Sequence, residues 1–150
     1  MSVKSQEANM RALAELLGQD LSFIYGEKES GPNGNKKVFL NVGKAFLRAL
    51  AKDLGLRDVK VKANPGGIAV SGDCIMIGMW EDNGIYIDIS QIGGGSDLVL
   101  MYRTVRHAND YKGGYNQFIS RKELATQSYE QLLCRFNALR KERFENERAA

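Results

Sequence analysis

The chain has 150 residues, of which 43% are hydrophobic and 26% charged, with a formal net charge of +3. This balance suits one folded domain with its own core and excludes a disordered tail. The longest apolar run, Cys74 to Trp80, falls far short of the about 20 residues a bilayer crossing needs.

The opening segment, MSVKSQEANM, is polar and carries no apolar stretch of a secretory signal. The expected compartment is therefore the cytoplasm, without membrane contact. Cys74 and Cys134 lie far apart in sequence with no CxxC pair, so two reduced thiols are expected. His107 is the only histidine, which excludes a multi-histidine metal site. Neither a metal nor a cofactor is expected.

In chain order, Ser5 to Leu17 reads as a helix. Ala12, Leu13, Leu16 and Leu17 recur at helical spacing, Glu7–Arg11 and Arg11–Glu15 are i,i+4 pairs, and Gly18 is a stop. Residues 26–36 hold three glycines, a proline and two asparagines and read as a loop. A second helix is predicted from Lys37 to Leu54. Phe39, Val42, Phe46, Leu47, Leu50 and Leu54 share one arc, Lys37, Lys44, Arg48 and Lys52 the opposite one, and Gly55 is the stop.

From Asp58 to Val105 the period changes to two. Val59 and Val61 point one way and Lys60 and Lys62 the other. Asn64-Pro65-Gly66-Gly67 reads as a turn, and Ile68 to Ser71 as a short strand. Asn83-Gly84, between CIMIGMW and IYIDIS, predicts a hairpin with a type I′ turn. Gly93 to Asp97 leads to the strand Leu98 to Val105. Ser120-Arg121-Lys122-Glu123 has the form of a capping box. It opens a long helix with Ala125, Tyr129, Leu132, Phe136 and Leu139 as its buried stripe.

The organisation predicted is an N-terminal helical segment (1–25), a loop (26–36), a single domain (37–140) and a charged extension of the last helix (141–150). The fold class is α+β, an antiparallel meander of four or five strands with two or three helices packed on it. The layout resembles that of double-stranded-RNA-binding domains, but layout is all that is shared. Those modules carry a lysine cluster at the start of the final helix, whereas here Arg121-Lys122 is followed by Glu123 and Leu124. No family assignment rests on it.

Charge is segregated along the chain. Residues 36–62 hold eight Lys or Arg and two Asp, residues 73–97 hold five acidic residues and no Lys or Arg, and residues 98–122 hold five basic residues and one Asp. Such blocks describe surfaces rather than a core. The first candidate surface is Lys37, Lys44, Arg48 and Lys52 with Lys60 and Lys62, a set able to neutralise a phosphate backbone if helix and strand are adjacent. The second is the interleaved run Tyr102, Arg103, Arg106, Tyr111, Lys112 and Tyr115, a mixture suited to stacking unpaired bases and holding their phosphates. Solvated lysine faces and tyrosines laid on a sheet edge are the plainer readings of both.

Catalytic readings are weaker. His107 with Asp110 offers a base and an orienting group without a diagnostic spacing. Asp73 before Cys74 disfavours a reactive thiolate. Gly93-Gly94-Gly95-Ser96 is followed by a strand rather than the helix a phosphate loop requires. Asp88 shares a strand face with Tyr86 and Ser90 and is expected beside Ile75, Ile77 and Met79. That setting would suit a general acid or base, and also a pairing with Arg103.

The expected function is thus non-catalytic binding, most specifically of nucleic acid or a nucleoprotein complex through the basic surfaces. The alternatives are a protein-interaction or regulatory module, docking through the last helix with Phe136, Leu139 and Phe144 or self-associating through the acidic hairpin and a basic surface, and an enzyme using His107.

Overall fold

A computed structural model describes residues 2–18, 35–65, 72–91, 97–110 and 114–142. Helix α1 (Val3–Leu17) begins at Ser2, whose hydroxyl accepts the Ser5 N–H at 3.1 Å. It buries Met10, Leu13, Ala14 and Leu17, one face at helical spacing. Helix α2 (Asn35–Asp53) buries Phe39, Leu40, Phe46, Leu47 and Leu50, and packs against both α1 and the sheet. Gly55 ends it as expected. Its φ is +69°, and the Gly55 and Leu56 N–H groups bond back to the Lys52 and Ala51 carbonyls, closing the last turn.

The sheet is a five-stranded antiparallel meander in the order β1 (Arg57–Asn64), β2 (Asp73–Met79), β3 (Gly84–Ser90), β4 (Leu98–Val105), β5 (Gln117–Ser120). The α+β meander read from the sequence is the architecture of the protein. Its fifth strand, however, is Gln117–Ser120 paired with β4, a segment to which the sequence reading assigns no strand. The strand expected at Ile68 to Ser71 lies outside the described residues. Asp58 has a positive φ of 55° at the irregularity in the β1–β2 pairing, a conformation aspartate tolerates better than most residues.

Alternation then divides the sheet into two faces. Cys74 and Met76 of β2, Ile85, Ile87 and Ile89 of β3, and Leu100 and Tyr102 of β4 turn inward and join the helices in one core. α1 belongs to that core through Met10, Leu13, Leu16 and Leu17. Gln6 is fully buried there, and its Nε2 donates to the Phe46 carbonyl at 3.1 Å.

Two local readings are corrected. The β2–β3 turn is not a two-residue Asn-Gly turn. Met79 pairs with Gly84, so Trp80, Glu81, Asp82 and Asn83 form the loop, and neither Asn83 nor Gly84 has the positive φ of a type I′ turn. The reason is tertiary. Trp80 Nε1 donates to the Leu54 carbonyl at 2.8 Å, and Asn83 Nδ2 donates to the Leu139 carbonyl at 2.9 Å, both buried.

The expected long last helix is likewise two helices, α3 (Arg121–Thr126) and α4 (Tyr129–Asn137), followed by a 3-10 turn at Ala138–Lys141. The Ser120–Glu123 capping box is present. A second one, Ser128 with Gln131, starts α4 afresh. Ala125 is therefore exposed, while Tyr129, Leu132, Phe136 and Leu139 are buried. α1 holds the break. Arg11 Nη1 donates to the Leu124 and Gln127 carbonyls at 2.8 Å each, and Glu7 Oε2 accepts the Tyr129 N–H at 2.8 Å. Glu7 and Arg11, read as partners of each other, instead cap the facing ends of α3 and α4.

α2 packs tightly on β2 at Gly43, where an added Cβ would lie 2.4 Å from Cys74 Sγ. Helix propensity alone favours alanine over glycine by about 1 kcal/mol, whereas overpacking a core costs about 1–3 kcal/mol. Gly43→Ala should therefore lower stability. Cys74→Ala in the same chain should make the double variant more stable than the two single effects combined, as measured by urea denaturation. A Gly43→Ala chain as stable as the wild type would contradict this close packing.

Candidate functional site

α2 and β1 are adjacent, which satisfies the geometric condition set by the first basic group. Lys37, Arg48 and Lys52 are exposed on the outward arc of α2, and Lys44 is half-buried there. The four-residue steps separate successive cations by about 6 Å along the helix axis. β1 is an edge strand. Lys60 and Lys62 are exposed on it and face the side of the sheet away from α2, pairing across to Ile77 and Ile75. The basic surface thus wraps around the β1 edge. The two acidic residues within it are engaged elsewhere: Asp53 Oδ2 accepts the Tyr129 hydroxyl at 2.5 Å, and Asp58 pairs with Arg57 at 3.3 Å. Among the described residues, none of Lys37, Lys44, Arg48, Lys52, Lys60 or Lys62 forms an ion pair.

The second group does not come together. Tyr102 is 2% exposed on the inner face, edge-on to Phe136 with ring centroids 5.0 Å apart, so its ring cannot receive a base. Arg103 lies on the outer face over the Tyr86 ring, and its Nη2 donates to the Asp110 carbonyl at 3.2 Å. Arg106 is exposed beyond the end of β4, and Tyr115 is 84% exposed before β5. Tyr111 and Lys112 lie outside the described residues. β4 is three strands from β1, about 14 Å at ordinary strand spacing, so the two basic groups form no continuous track.

The outer face carries a feature that composition does not reveal. The register sets Lys62, Ile75, Asp88, Met101 and Phe118 in one row across the five strands, and Lys60, Ile77, Tyr86 and Arg103 in the next. Asp88 shares its face with Tyr86, Ser90, Ile75, Ile77 and Met79 as expected. It sits on the central strand between Ile75 and Met101, and it forms no ion pair with Arg103. Asp88 Oδ1 and Arg103 Nη1 are both buried and have no hydrogen-bond partner among the described residues. Burial, reinforced by Asp73 and only partly offset by the Ser90 hydroxyl, raises the Asp88 carboxyl from 3.8 to about 6. Met101 and Phe118 were missed as members of this face, although counting alternate residues back from Arg103 finds Met101.

The remaining candidates are structural in their surroundings. His107 Nδ1 accepts the Asn109 N–H at 3.1 Å, and Asp110 Oδ2 accepts the Arg106 N–H at 2.8 Å, so both shape the turn after β4. Burial, then Asp73, pushes the Cys74 thiol up to about 12 despite the opposing Lys44 charge, leaving it protonated at neutral pH. Cys134 is exposed, and both cysteines are free. Phe136 and Leu139 are buried in the core and unavailable to a partner, and Phe144 and Gly93 to Ser96 lie outside the described residues. Among the described residues no cluster of three His, Cys, Asp or Glu side chains could hold a metal, and no helix is long and apolar enough to cross a membrane.

The raised Asp88 value sets a pH dependence. The folded chain retains a proton that the unfolded chain releases between 3.8 and about 6, so Asp88 makes folding less favourable as pH rises through that window. Asp88→Asn should raise the melting temperature in dilute solution above pH 6, with the gain disappearing near pH 4. An equal effect at both ends would contradict a desolvated carboxyl. Compared with known proteins, the chain matches no family model, no curated protein and no solved structure.

Proposed function

We propose that this chain is a non-catalytic binding protein that engages nucleic acid along its phosphate backbone, through the basic surface of α2 and the β1 edge. The observation that carries the reading is the set of cations on that surface that form no ion pair among the described residues, with Asp53 held by the Tyr129 hydroxyl and Asp58 by Arg57. Phosphate neutralisation releases condensed counterions, and it needs basic side chains that are not already paired within the protein. The helix presents Lys37, Lys44, Arg48 and Lys52 in line, and the strand edge adds Lys60 and Lys62.

The burial of Tyr102 removes the main support for base stacking. What remains is contact with phosphates, which positions a protein on nucleic acid without reading sequence. Binding is thus expected to be tolerant of sequence and steeply dependent on salt.

Fluorescence anisotropy with mixed-sequence DNA and RNA tests this. Arg48→Glu with Lys52→Glu should weaken binding by about tenfold or more and flatten the salt slope by about two units, since each phosphate contact contributes about one. Both substitutions are at exposed positions, so circular dichroism should show an unchanged fold. Arg106→Glu, beyond the far side of the sheet, should leave affinity nearly unchanged. Equal binding by the double variant and the wild type would overturn the proposal, as would no binding at low salt.

A further inference from the structure

No aromatic ring is exposed on α2 or β1. The two aromatic residues of α2, Phe39 and Phe46, are fully buried in the core, and β1 has none. Among the described residues the exposed aromatics are Tyr115 and Phe118, at the opposite edge of the sheet. Proteins that hold single strands combine a basic groove with rings on which successive bases stack. The basic surface here has the charges without the rings.

Its cations also form two rows. Lys37, Lys44, Arg48 and Lys52 run along the outward arc of α2, about 22 Å from first to last. Lys60 and Lys62 lie about 7 Å apart, on the side of the β1 edge away from α2. A single strand offers one line of phosphates. A duplex offers two, one along each side of a groove.

We infer that the nucleic acid engaged here is double-stranded, with α2 following the phosphates of one strand and Lys60 and Lys62 meeting those of the other across a groove. The inference rests on the nucleic-acid reading above and adds strandedness to it. Counterion release favours the same choice. Each phosphate neutralised contributes about 0.9 to the salt slope on a duplex and about 0.7 on a single strand, whose charges are less densely spaced. A surface that offers charge alone therefore gains more from a duplex. A rigid duplex also arrives with its phosphates in place, whereas a flexible strand must be ordered on the protein with no stacking to offset that cost. The α2 row is shorter than the about 34 Å of one duplex turn, so a straight helix can keep to one strand.

Phosphate chemistry is common to DNA and RNA, so the test uses both. One labelled strand of mixed sequence, chosen not to pair with itself, is titrated alone and annealed to its complement, with anisotropy as the readout. In whichever polymer binds more tightly, the wild type at about 50 mM salt should favour the duplex by roughly tenfold or more. Lys60→Gln with Lys62→Gln, both at exposed positions, should flatten the duplex salt slope by about two units and leave the single-strand slope unchanged. A single strand bound as tightly as its duplex would overturn the inference and leave the nucleic-acid reading standing. So would a folded variant that loses the same affinity for both forms. Binding of neither form at low salt would remove the nucleic-acid reading itself, and the inference with it. The wild-type comparison needs no substitution and decides the matter even if the variant fails to fold.

Discussion

Two buried hydrogen bonds at one end of the β2–β3 hairpin decide which side chains the sheet offers to the core and which to the outside. Trp80 Nε1 on the Leu54 carbonyl and Asn83 Nδ2 on the Leu139 carbonyl tie the hairpin loop to the ends of α2 and α4. With the loop fixed at four residues, Met79 meets Gly84, and each inward residue of β2 pairs with an inward isoleucine of β3. A slip of one residue would turn Ile85, Ile87 and Ile89 outward and bring Tyr86 and Asp88 into the core. The outer-face rows and the positions of Asp88 and Arg103 all follow from that register. Arg140 reinforces the same corner by lying over the Trp80 ring and donating to the Leu54 carbonyl.

Much of this was legible in the sequence where a local pattern and the tertiary demand agree. The two amphipathic helices, the left-handed Gly55, the Ser120 capping box and the alternation of β2 through β4 each have one local cause and appear as read. The misreadings arise where a tertiary contact outweighs local preference. Asn83-Gly84 is a strong turn signal, but the Asn83 side chain is committed to Leu139, over fifty residues away in sequence. Tyr102 was grouped with its basic neighbours, although its own alternation with Arg103 sends the two to opposite faces. The Ser128-x-x-Gln131 box also stands in the sequence but was not read, because the apolar stripe from Ala125 to Leu139 runs across it. The orphaned groups at Asp88 and Arg103 had no sequence signal, since an unmet hydrogen bond is a property of three-dimensional neighbours.

The two surfaces separate by physical character. The α2–β1 surface is basic and exposed, with charges that gain by meeting mobile or polymeric anions and weaken in salt. The outer face is mostly apolar and half-buried at its centre, where the Asp88 carboxyl is desolvated. Lys60 and Lys62 stand where the two meet, on the rim of the outer face and at the β1 edge.

The most direct test of this division is amide chemical-shift mapping of the labelled chain on addition of a short mixed-sequence DNA duplex. The account predicts perturbations along α2 and β1, from Lys37 to Lys62, and unchanged resonances for Arg106 and Tyr115. Shifts concentrated between β4 and β5, or none at a duplex concentration that saturates any binding seen by anisotropy, would contradict it.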